Sequence, residues 1–396
     1  MEIDPLDRSQ TRRVALLGST GSIGLSALDV LDRLAPRFCP VALAANSSSA
    51  LLAEQTLRYR PEVIGLADAS AEAELRARLS GKWSGEIRVG PDAATSIAAE
   101  PDVDVVLNGL VGAAGLRPSW VTLKRGASLA LANKESLVIA GEILTRLARE
   151  TGAPILPIDS EHNGLFQLLE GRPIEGVTRV VLTASGGPFR TRDLSTFDEI
   201  SADEALQHPT WSMGSRITID SATLLNKGFE VLEARWLFDL RPEQVGVWIH
   251  PQSIVHGFVE WHDGSTTAQL SVPDMRIPIQ NALCHPERIE TELPRCNLAE
   301  QQPLEFFEPD RDRYPCLALA ERAMTEAGSA PAVLNAADEV LVQSFLDGQI
   351  RFPQIGECLE RVLDQRPQVR AEDLDTLLEA DAWARDAARS VLSRCG

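Results

Sequence analysis

The strongest constraint on how this chain folds is an alternation that runs through its first part. Short apolar runs of strand length stand at residues 12–17, 40–45, 62–66, 87–90, 103–107, 127–132 and 154–158. Helical periodicity fills several of the gaps, through Leu25, Leu28, Val30, Leu31 and Leu34, then over residues 69–79, 91–99 and 136–150. A helix between two strands returns the second strand in the direction of the first. Repetition of that unit predicts an α/β fold with a doubly wound, mainly parallel, Rossmann-like sheet.

Sheets of this kind bind ligands beyond the carboxyl ends of their strands. The first strand runs into Gly18-Ser19-Thr20-Gly21-Ser22-Ile23-Gly24. Glycines let the backbone approach a pyrophosphate, and a following helix offers N–H groups and a positive dipole end. The spacing is G-x-x-G-x-x-G rather than G-x-G-x-x-G, and a strand-to-helix turn alone is a weak signal. The second strand ends at Asn46-Ser47-Ser48-Ser49. An acidic residue there would meet a free ribose 2′-hydroxyl; its absence leaves room for a 2′-phosphate and favours NADP over NAD. No Arg or Lys stands in that turn. Asn133-Lys134-Glu135 follows another strand and reads either as a solvated helix start or as a cofactor contact.

Pro157-Ile158-Asp159-Ser160-Glu161-His162-Asn163 closes the last of these runs. If the strand extends through Glu161, Asp159 and Glu161 point the same way, because successive residues alternate faces. Two carboxylates on one side repel unless a cation lies between them. The competing reading is that Asp159 or Ser160 caps the helix that continues through Leu165, Phe166, Leu168 and Leu169.

Beyond it, a β-branched strand at residues 178–184 ends in Ser185-Gly186-Gly187-Pro188. A polar segment with weak periodicity, residues 189–207, leads into His208-Pro209-Thr210-Trp211-Ser212-Met213-Gly214. Irregular stretches of that length are functional or mobile in most compact domains; the alternative is a loop anchored by one buried Trp. Residues 217–219 read as a short strand, and Asp220 or Ser221 as the cap of a helix carrying Leu224, Leu225, Val231, Leu232 and Trp236. Asn226, Lys227 and Glu230 share another face of that helix. They form either a solvated ion pair or the makings of a phosphate and cation site, with Glu230 as a third carboxylate. Residues 248–260 and 266–272 read as antiparallel strands joined by an Asp263-Gly264 turn, a hairpin whose edge suits pairing between subunits. His250 and His256 within them are read as structural, because three carboxylates already satisfy a hard cation.

Residues 316–327, 330–346, 352–364 and 371–393 show four helical patterns, and a small helical bundle with a supporting role accounts for them. The expected division is therefore a dinucleotide-binding domain over 1–158, an α/β catalytic domain over 159–300, a linker over 301–314 and a helical domain over 315–396. Residues 1–13 lack the apolar core of a signal peptide, and no run is long enough to span a membrane. The net charge of −19 argues against nucleic acid as a partner. It also requires any phosphate to be held by a local group of cations and helix N-termini. The six cysteines are scattered without a Cys-x-x-Cys pair, which fits a cytoplasmic protein without structural zinc or disulfides.

Taken together, these motifs resemble the 1-deoxy-D-xylulose 5-phosphate reductoisomerases. The resemblance covers essentially the whole chain. It runs from the glycine turn through Leu131-Ala132-Asn133-Lys134-Glu135-Ser136-Leu137, Asp159-Ser160-Glu161-His162-Asn163, Ser185-Gly186-Gly187-Pro188-Phe189 and the His208 to Gly214 motif. It continues through Asp220-Ser221-Ala222-Thr223, Asn226-Lys227-Gly228, Glu230, Ile249-His250-Pro251-Gln252-Ser253 and Asn335-Ala336-Ala337-Asp338-Glu339.

The resemblance implies that Asp159, Glu161 and Glu230 hold Mg²⁺ or Mn²⁺. It implies that Ser185, His208, Ser221, Asn226 and Lys227 hold the phosphate and backbone of a phosphorylated ketose, that Ser160 meets its hydroxyls, and that Trp211 and Met213 belong to a lid over residues 186–216. It implies NADPH contacts from Thr20, Gly21, Ser22, Ile23, Asn133, Glu135 and Gly214, with Asn46 and Ser48 at the 2′-phosphate end and Lys134 acting at the substrate or nicotinamide. Asn46-Ser47-Ser48 departs from the family's Gly-Lys-Asn-like turn. The implied reaction is a metal-assisted skeletal rearrangement to an aldehyde, which NADPH reduces to 2-C-methyl-D-erythritol 4-phosphate for non-mevalonate isoprenoid synthesis. A homodimer is implied as well. Two rivals bear on the same residues. A semialdehyde dehydrogenase-like reductase would need an activated cysteine, for which Cys284-His285 is the one adjacent pair; a dinucleotide sensor would not need the three carboxylates.

Overall fold

A computed structural model of the chain describes residues 11–211, 213–301 and 303–393. Ser212 of the lid motif, most of the polar N-terminal stretch and Cys395 lie outside the described residues. The chain forms two compact units, each threaded by more than one stretch of sequence.

The first unit comprises residues 1–133, 147–158 and 279–289. Its strands and helices alternate: β1 (Arg12–Leu17), α1 (Ser22–Arg33), β2 (Phe38–Ala45), α2 (Ser49–Tyr59), β3 (Val63–Leu66), α3 (Glu72–Leu79), β4 (Glu86–Val89) and α4 (Ala93–Ala98). There follow β5 (Val105–Asn108), α5 (Leu116–Lys124), β6 (Ser128–Leu131), α6 (Lys134–Thr151), of which residues 134–146 fall in the second unit, and β7 (Ile155–Pro157). All seven strands pair in parallel, in the order β4-β3-β2-β1-β5-β6-β7. Burial on both faces explains why β1 carries Val14, Ala15, Leu16 and Leu17 in succession, all fully buried, where a half-exposed strand would alternate. The order reverses between β1 and β5, the position at which open α/β sheets leave a crevice. Helix α5 was not expected from the pattern: Pro118 near its start and the polar Ser119 and Thr122 on its buried side break the apolar periodicity.

The second unit comprises residues 134–146, 159–278 and 290–396. It holds α7 (Ser160–Leu169), β8 (Val177–Ala184), α8 (Ala202–Ala205), α9 (Ser215–Ala222), α10 (Leu225–Leu237), β9 (Val245–Ile249), β10 (Val255–Trp261) and β11 (Thr266–Leu270). Then come α11 (Arg276–Cys284), which runs on into the first unit, and the helices α12 (Pro315–Glu326), α13 (Ala330–Leu346), α14 (Phe352–Gln365) and α15 (Leu374–Leu392). The sheet order is β11-β10-β8-β9, with β8 and β9 parallel and the other pairs antiparallel. The β10–β11 hairpin turns at Asp263-Gly264 as expected, and β11 is an edge strand.

Three expectations are corrected here. Residues 217–219 are helical: Ile217 and Ile219 lie in α9, whose neighbouring turns bury Ile219 in the core, and a β-branched pair does not outweigh that packing. Asp220 and Ser221 therefore end α9 and cap nothing; α10 begins at Leu224, which sits at a left-handed φ of 62°. The strand before Asp159 stops at Pro157, so Asp159 and Glu161 do not share a strand face. The divisions differ as well. The C-terminal helices share one buried core with the second sheet, through Val180, Leu182 and Val245 on one side and Leu317, Val333 and Leu359 on the other. They are not a separate body, and residues 134–146 belong with them.

Candidate active site

Asp159 is the N-cap of α7, its Oδ1 accepting from the backbone N–H of Glu161 at 3.2 Å. The capping reading of this residue holds, and its second oxygen is turned elsewhere and bonds the ammonium of Lys134. Lys134, at the start of α6, also donates to Glu230 Oε1 at 3.2 Å. Glu230 lies on α10 and is almost wholly buried. It accepts from Asn226 Nδ2 at 2.8 Å one turn earlier and from Lys227. Lys227 Nζ reaches Glu161 Oε1 at 2.9 Å. Three carboxylates from two helices are thus drawn together by two ammonium groups, one spanning Asp159 and Glu230, the other Glu161 and Glu230. Ser160 donates to Glu161 Oε2 at 2.6 Å and is not the cap.

Burial raises the pKa of Glu230, reinforced by Asp159 and Glu161 and opposed by the two lysines. Burial works against the charge of Lys134, yet Asp159 and Glu230 hold its pKa well above the ordinary range. Two further groups line this cluster that the sequence reading assigned no role. His162 Nδ1 lies 3.1 Å from Asp159 Oδ1, and its Nε2 bonds the backbone carbonyl of Glu230 at 2.9 Å. Burial opposes its charge, but Glu233 and Asp159 lift its pKa to about 9. Glu233, one turn beyond Glu230, is pushed up to about 8 by burial. The signal was in the spacing: His162 follows Asp159 by three residues and Glu233 follows Glu230 by three, so each shares a helix face with a predicted ligand.

The cluster fits a hard divalent cation. Its donors are carboxylate oxygens, the class that Mg²⁺ and Mn²⁺ prefer. One ligand atom each from Asp159, His162 and Glu230 lie within 4.8 Å of one another, a group that includes a histidine nitrogen and leaves out Glu161. Lysine ammonium groups already balance the repulsion that these carboxylates would otherwise feel.

A second group forms around the turn after β8. Ser185 Oγ lies 3.0 Å from His208 Nε2. His208 Nδ1 accepts from the backbone N–H groups of Thr210 and Trp211, which puts the ring proton on Nε2, donating to Ser185. Burial lowers the pKa of His208, so the ring is neutral near pH 7. Gly187 has φ +65° and passes so close to α9 that a Cβ there would meet Ser221 O at 2.8 Å. Ser185, His208 and Ser221 are therefore neighbours, whereas Asn226 and Lys227 bond the carboxylates instead. The segment over residues 189–207 holds more regular structure than its weak periodicity suggests. Phe189 and Ile200 are buried in the core, a 3₁₀ turn spans Leu194–Glu199, and Ser201 makes a capping box with Glu204. Trp211 and Met213 are half-buried and Gly214 is exposed.

In the first unit, Gly18 has φ +82°, and a Cβ on it would lie 2.5 Å from Gly109 O; only glycine fits. Helix α1 starts at Gly21 with no side-chain cap, leaving N–H donors for an anion. Gly21 and Ser22 are exposed there, and Thr20 and Ile23 half-exposed. This cradle fits a pyrophosphate. Ser19 and Gln55 brace the turn from below: Ser19 Oγ bonds Gln55 Oε1 at 2.7 Å and Gln55 Nε2 returns to Ser19 O at 2.8 Å. Asn46 and Ser48 are exposed at the end of β2. Asn133 is buried and donates to the carbonyls of Leu110 and Gly112 at 3.0 Å each, so it shapes the loop after β5. Glu135 belongs to the second unit, where Oε1 accepts from Arg216 at 2.9 Å.

His250 and His256 bond backbone carbonyls, of Glu305 at 2.9 Å and Ser271 at 3.2 Å. Burial raises the Cys284 thiol to about 11, the opposite of an activated nucleophile.

Three family descriptions match the chain in succession. "1-deoxy-D-xylulose 5-phosphate reductoisomerase" matches residues 14–141, its C-terminal domain 155–238, and "DXP reductoisomerase C-terminal domain" 270–387. Among similar proteins, the 1-deoxy-D-xylulose 5-phosphate reductoisomerase of Chloroherpeton thalassium is 48% identical over 374 residues, covering 94% of this chain and 96% of its own. That of Symbiobacterium thermophilum is 49% identical over 380 residues, covering 95% and 97%. The solved Zymomonas mobilis enzyme in complex with NADPH superposes with a TM-score of 0.90 at 39% identity, covering 97% of this chain and 99% of its own. A reductoisomerase in complex with NADPH, fosmidomycin and magnesium superposes with a TM-score of 0.93 at 36% identity, covering 96% and 98%.

Proposed function

Since the chain belongs to the 1-deoxy-D-xylulose 5-phosphate reductoisomerase family, we propose that its chemistry is centred on the cluster of Asp159, Glu161, Glu230, Lys134 and Lys227. The protein is an NADPH- and metal-dependent reductoisomerase. It converts 1-deoxy-D-xylulose 5-phosphate to 2-C-methyl-D-erythritol 4-phosphate in non-mevalonate isoprenoid precursor synthesis. The observation that carries the site assignment is the convergence of three carboxylates on two buried ammonium groups.

In this reading Asp159, Glu161 and Glu230 hold the cation. Mg²⁺ or Mn²⁺, when bound, supplies Lewis-acid polarisation of the substrate's oxygens; NADPH, when bound, supplies the hydride. The side chains do the rest. Ser185, His208 and Ser221 seat the phosphate, and the neutral His208 presents a donor without adding charge. Asn226 and Lys227 extend that seat toward the carboxylates, and Ser160 faces the substrate hydroxyls. Lys134 bonds Asp159 and Glu230 and offers a proton donor beside them. Trp211 and Met213 cover the substrate and exclude water, and Gly214 continues the lid toward the cofactor. Thr20, Gly21, Ser22 and Ile23 hold the NADPH pyrophosphate at the N-terminus of α1. Asn133 shapes the neighbouring loop, Asn46 and Ser48 stand toward the 2′-phosphate, and Glu135 lies at the nicotinamide side. Binding the phosphate away from the reacting carbons contributes to orienting them.

We further assign a homodimer that pairs through the β11 edge, and a cytoplasmic location. The edge position of β11 supports the first. Scattered cysteines without a disulfide pattern support the second. No helix among the described residues is long and apolar enough to cross a membrane. The deciding assay is NADPH consumption with 1-deoxy-D-xylulose 5-phosphate, with and without Mg²⁺ or Mn²⁺. Metal-dependent oxidation is expected; consumption unaffected by chelator, or no consumption at all, would overturn the reading.

A further inference from the structure

Arg216 is the most heavily engaged side chain outside the carboxylate cluster, and nothing in the reaction scheme uses it. It sits in the first turn of α9, two residues after Gly214 of the lid. Nη1 donates to Glu135 Oε1 and to Glu339 Oε1, both at 2.9 Å. Nη2 donates to Asn335 Oδ1 at 2.8 Å and to Asp338 Oδ2 at 3.1 Å. Nε lies 3.3 Å from Asp338 Oδ2 and 3.7 Å from Asp220 Oδ2. Every nitrogen of the guanidinium is committed and its side chain is 17% exposed, so it is not a ligand in waiting.

The partners come from three helices that otherwise have separate duties. Glu135 is on α6, next to Lys134, which bonds Asp159 and Glu230. Asp220 is on α9 itself, next to Ser221. Asn335, Asp338 and Glu339 are on α13, and Glu339 is held in turn by Arg385 of α15. Helix α9 is short and rigid, with Arg216 at one end and Ser221 at the other. The Ser221 end is pressed against Gly187, in the turn that carries Ser185. A fork fixed in a planar, multidentate geometry sets both position and orientation.

We propose that Arg216 is a positioning residue for the reaction: it fixes α9 between α6 and α13, so that Ser221 and the lid root keep their place relative to Lys134. It touches neither substrate nor metal. The assignment rests on the function proposed above. It also explains why Asn335, Asp338 and Glu339, far along the chain and among helices with no chemistry of their own, belong with the site motifs.

The test compares wild type with Arg216→Met, Arg216→Lys and Glu339→Gln in full-length protein. The readings are kcat and KM for 1-deoxy-D-xylulose 5-phosphate with Mg²⁺, the Kd of NADPH by fluorescence, and the melting temperature. Loss of charge-assisted hydrogen bonds predicts that kcat/KM for the ketose phosphate falls about 10- to 100-fold in Arg216→Met. The NADPH Kd is expected to rise by a smaller factor, about 2- to 5-fold, because Arg216 also anchors Glu135, assigned to NADPH above, while the pyrophosphate turn belongs to the other unit. Arg216→Lys keeps the charge but not the planar fork and recovers only a minor part of the loss. Glu339→Gln, which removes one partner of the fork, loses a smaller factor in the same parameter.

If Arg216→Met does not fold, the other two variants decide: wild-type kcat/KM in both overturns the proposal. It is also overturned if Arg216→Met turns over like wild type, or if NADPH binding weakens in it by as large a factor as kcat/KM falls. A wild-type protein without turnover refutes the proposed reaction and this role with it. Active wild type with indifferent variants refutes only the role of Arg216.

Discussion

Lys227 offers the sharpest test of how the carboxylate cluster is held. Its side chain is 4% exposed and stands between Glu161 and Glu230, of which Glu230 is also reached by Lys134. At its 2.9 Å distance from Glu161 the gross attraction is about 6 kcal/mol at an effective dielectric of about 20. Desolvation of the ammonium offsets part of that, and removing one partner of a buried pair costs about 3–5 kcal/mol. Lys227→Met is therefore expected to destabilise the metal-free protein by roughly that amount. For a body of this size the melting temperature should fall by roughly 6–20 °C. The orphaned carboxylates would take up a proton as pH falls, so the deficit should shrink toward acid pH.

A divalent cation among the same carboxylates replaces the missing charge. Mg²⁺ should therefore raise the melting temperature more in Lys227→Met than in wild type, because the ligand binds only the folded state and binds the variant more tightly. Differential scanning fluorimetry in chelator and in Mg²⁺ reads both effects. The reasoning is refuted if the variant melts within about 2 °C of wild type in chelator and both shift equally with Mg²⁺.

Three other outcomes are expected. Asp159→Asn and Glu230→Gln should each abolish metal-dependent turnover while leaving NADPH binding intact; full activity in either would remove the metal assignment. Gly18→Ala should destabilise the first unit by about 2–4 kcal/mol, since it combines a left-handed φ with a close approach to Gly109 O, and an unchanged urea midpoint would contradict it. Burial raises the Asp338 pKa to about 6, against the opposing Arg216. The folded state then binds more protons than the unfolded state between about pH 4 and 6, and stability contributed at low pH is lost as pH rises through that window. Asp338→Asn should flatten the decline, and identical stability–pH curves for variant and wild type would show that the carboxyl does not titrate there.

How much of this was legible depended on whether one element or several had to agree. The parallel sheet was readable because β1 and β5 are buried on both faces and so carry unbroken apolar runs. Asp159 and Glu161 were singled out as carboxylates at the end of a strand and Glu230 for the helix face it shares with Asn226 and Lys227; the strand stops earlier, and two lysines link the three carboxylates instead. The strand assigned at residues 217–219 failed because Ile217 and Ile219 were judged by propensity alone, while burial of Ile219 in the shared core selects the helix. Helix α5 was missed because Ser119 and Thr122 are buried polar residues, satisfied locally, as in the Thr122 Oγ1 bond to Pro118 O at 2.7 Å. The link from Arg216 to Asp338 joins positions 122 residues apart, and no local pattern reveals such a pairing.

The glycine turn carries a consequence for the order of events during folding. Gly18 is shaped by Gly109 O, which belongs to a residue just past β5 and about 90 residues later in the chain. Before β5 docks beside β1, the turn is held only by N–H bonds from Gly18 and Ser19 to Ala44 O and by Gln55, and the wall at Gly109 that completes the cradle is missing. The capacity to grip a dinucleotide thus arrives late, after a distant strand has closed on the first one. A nascent chain released as far as β4 has the glycines but not the cradle. NADPH should therefore speed no early folding step, and act only by slowing the unfolding of a finished sheet.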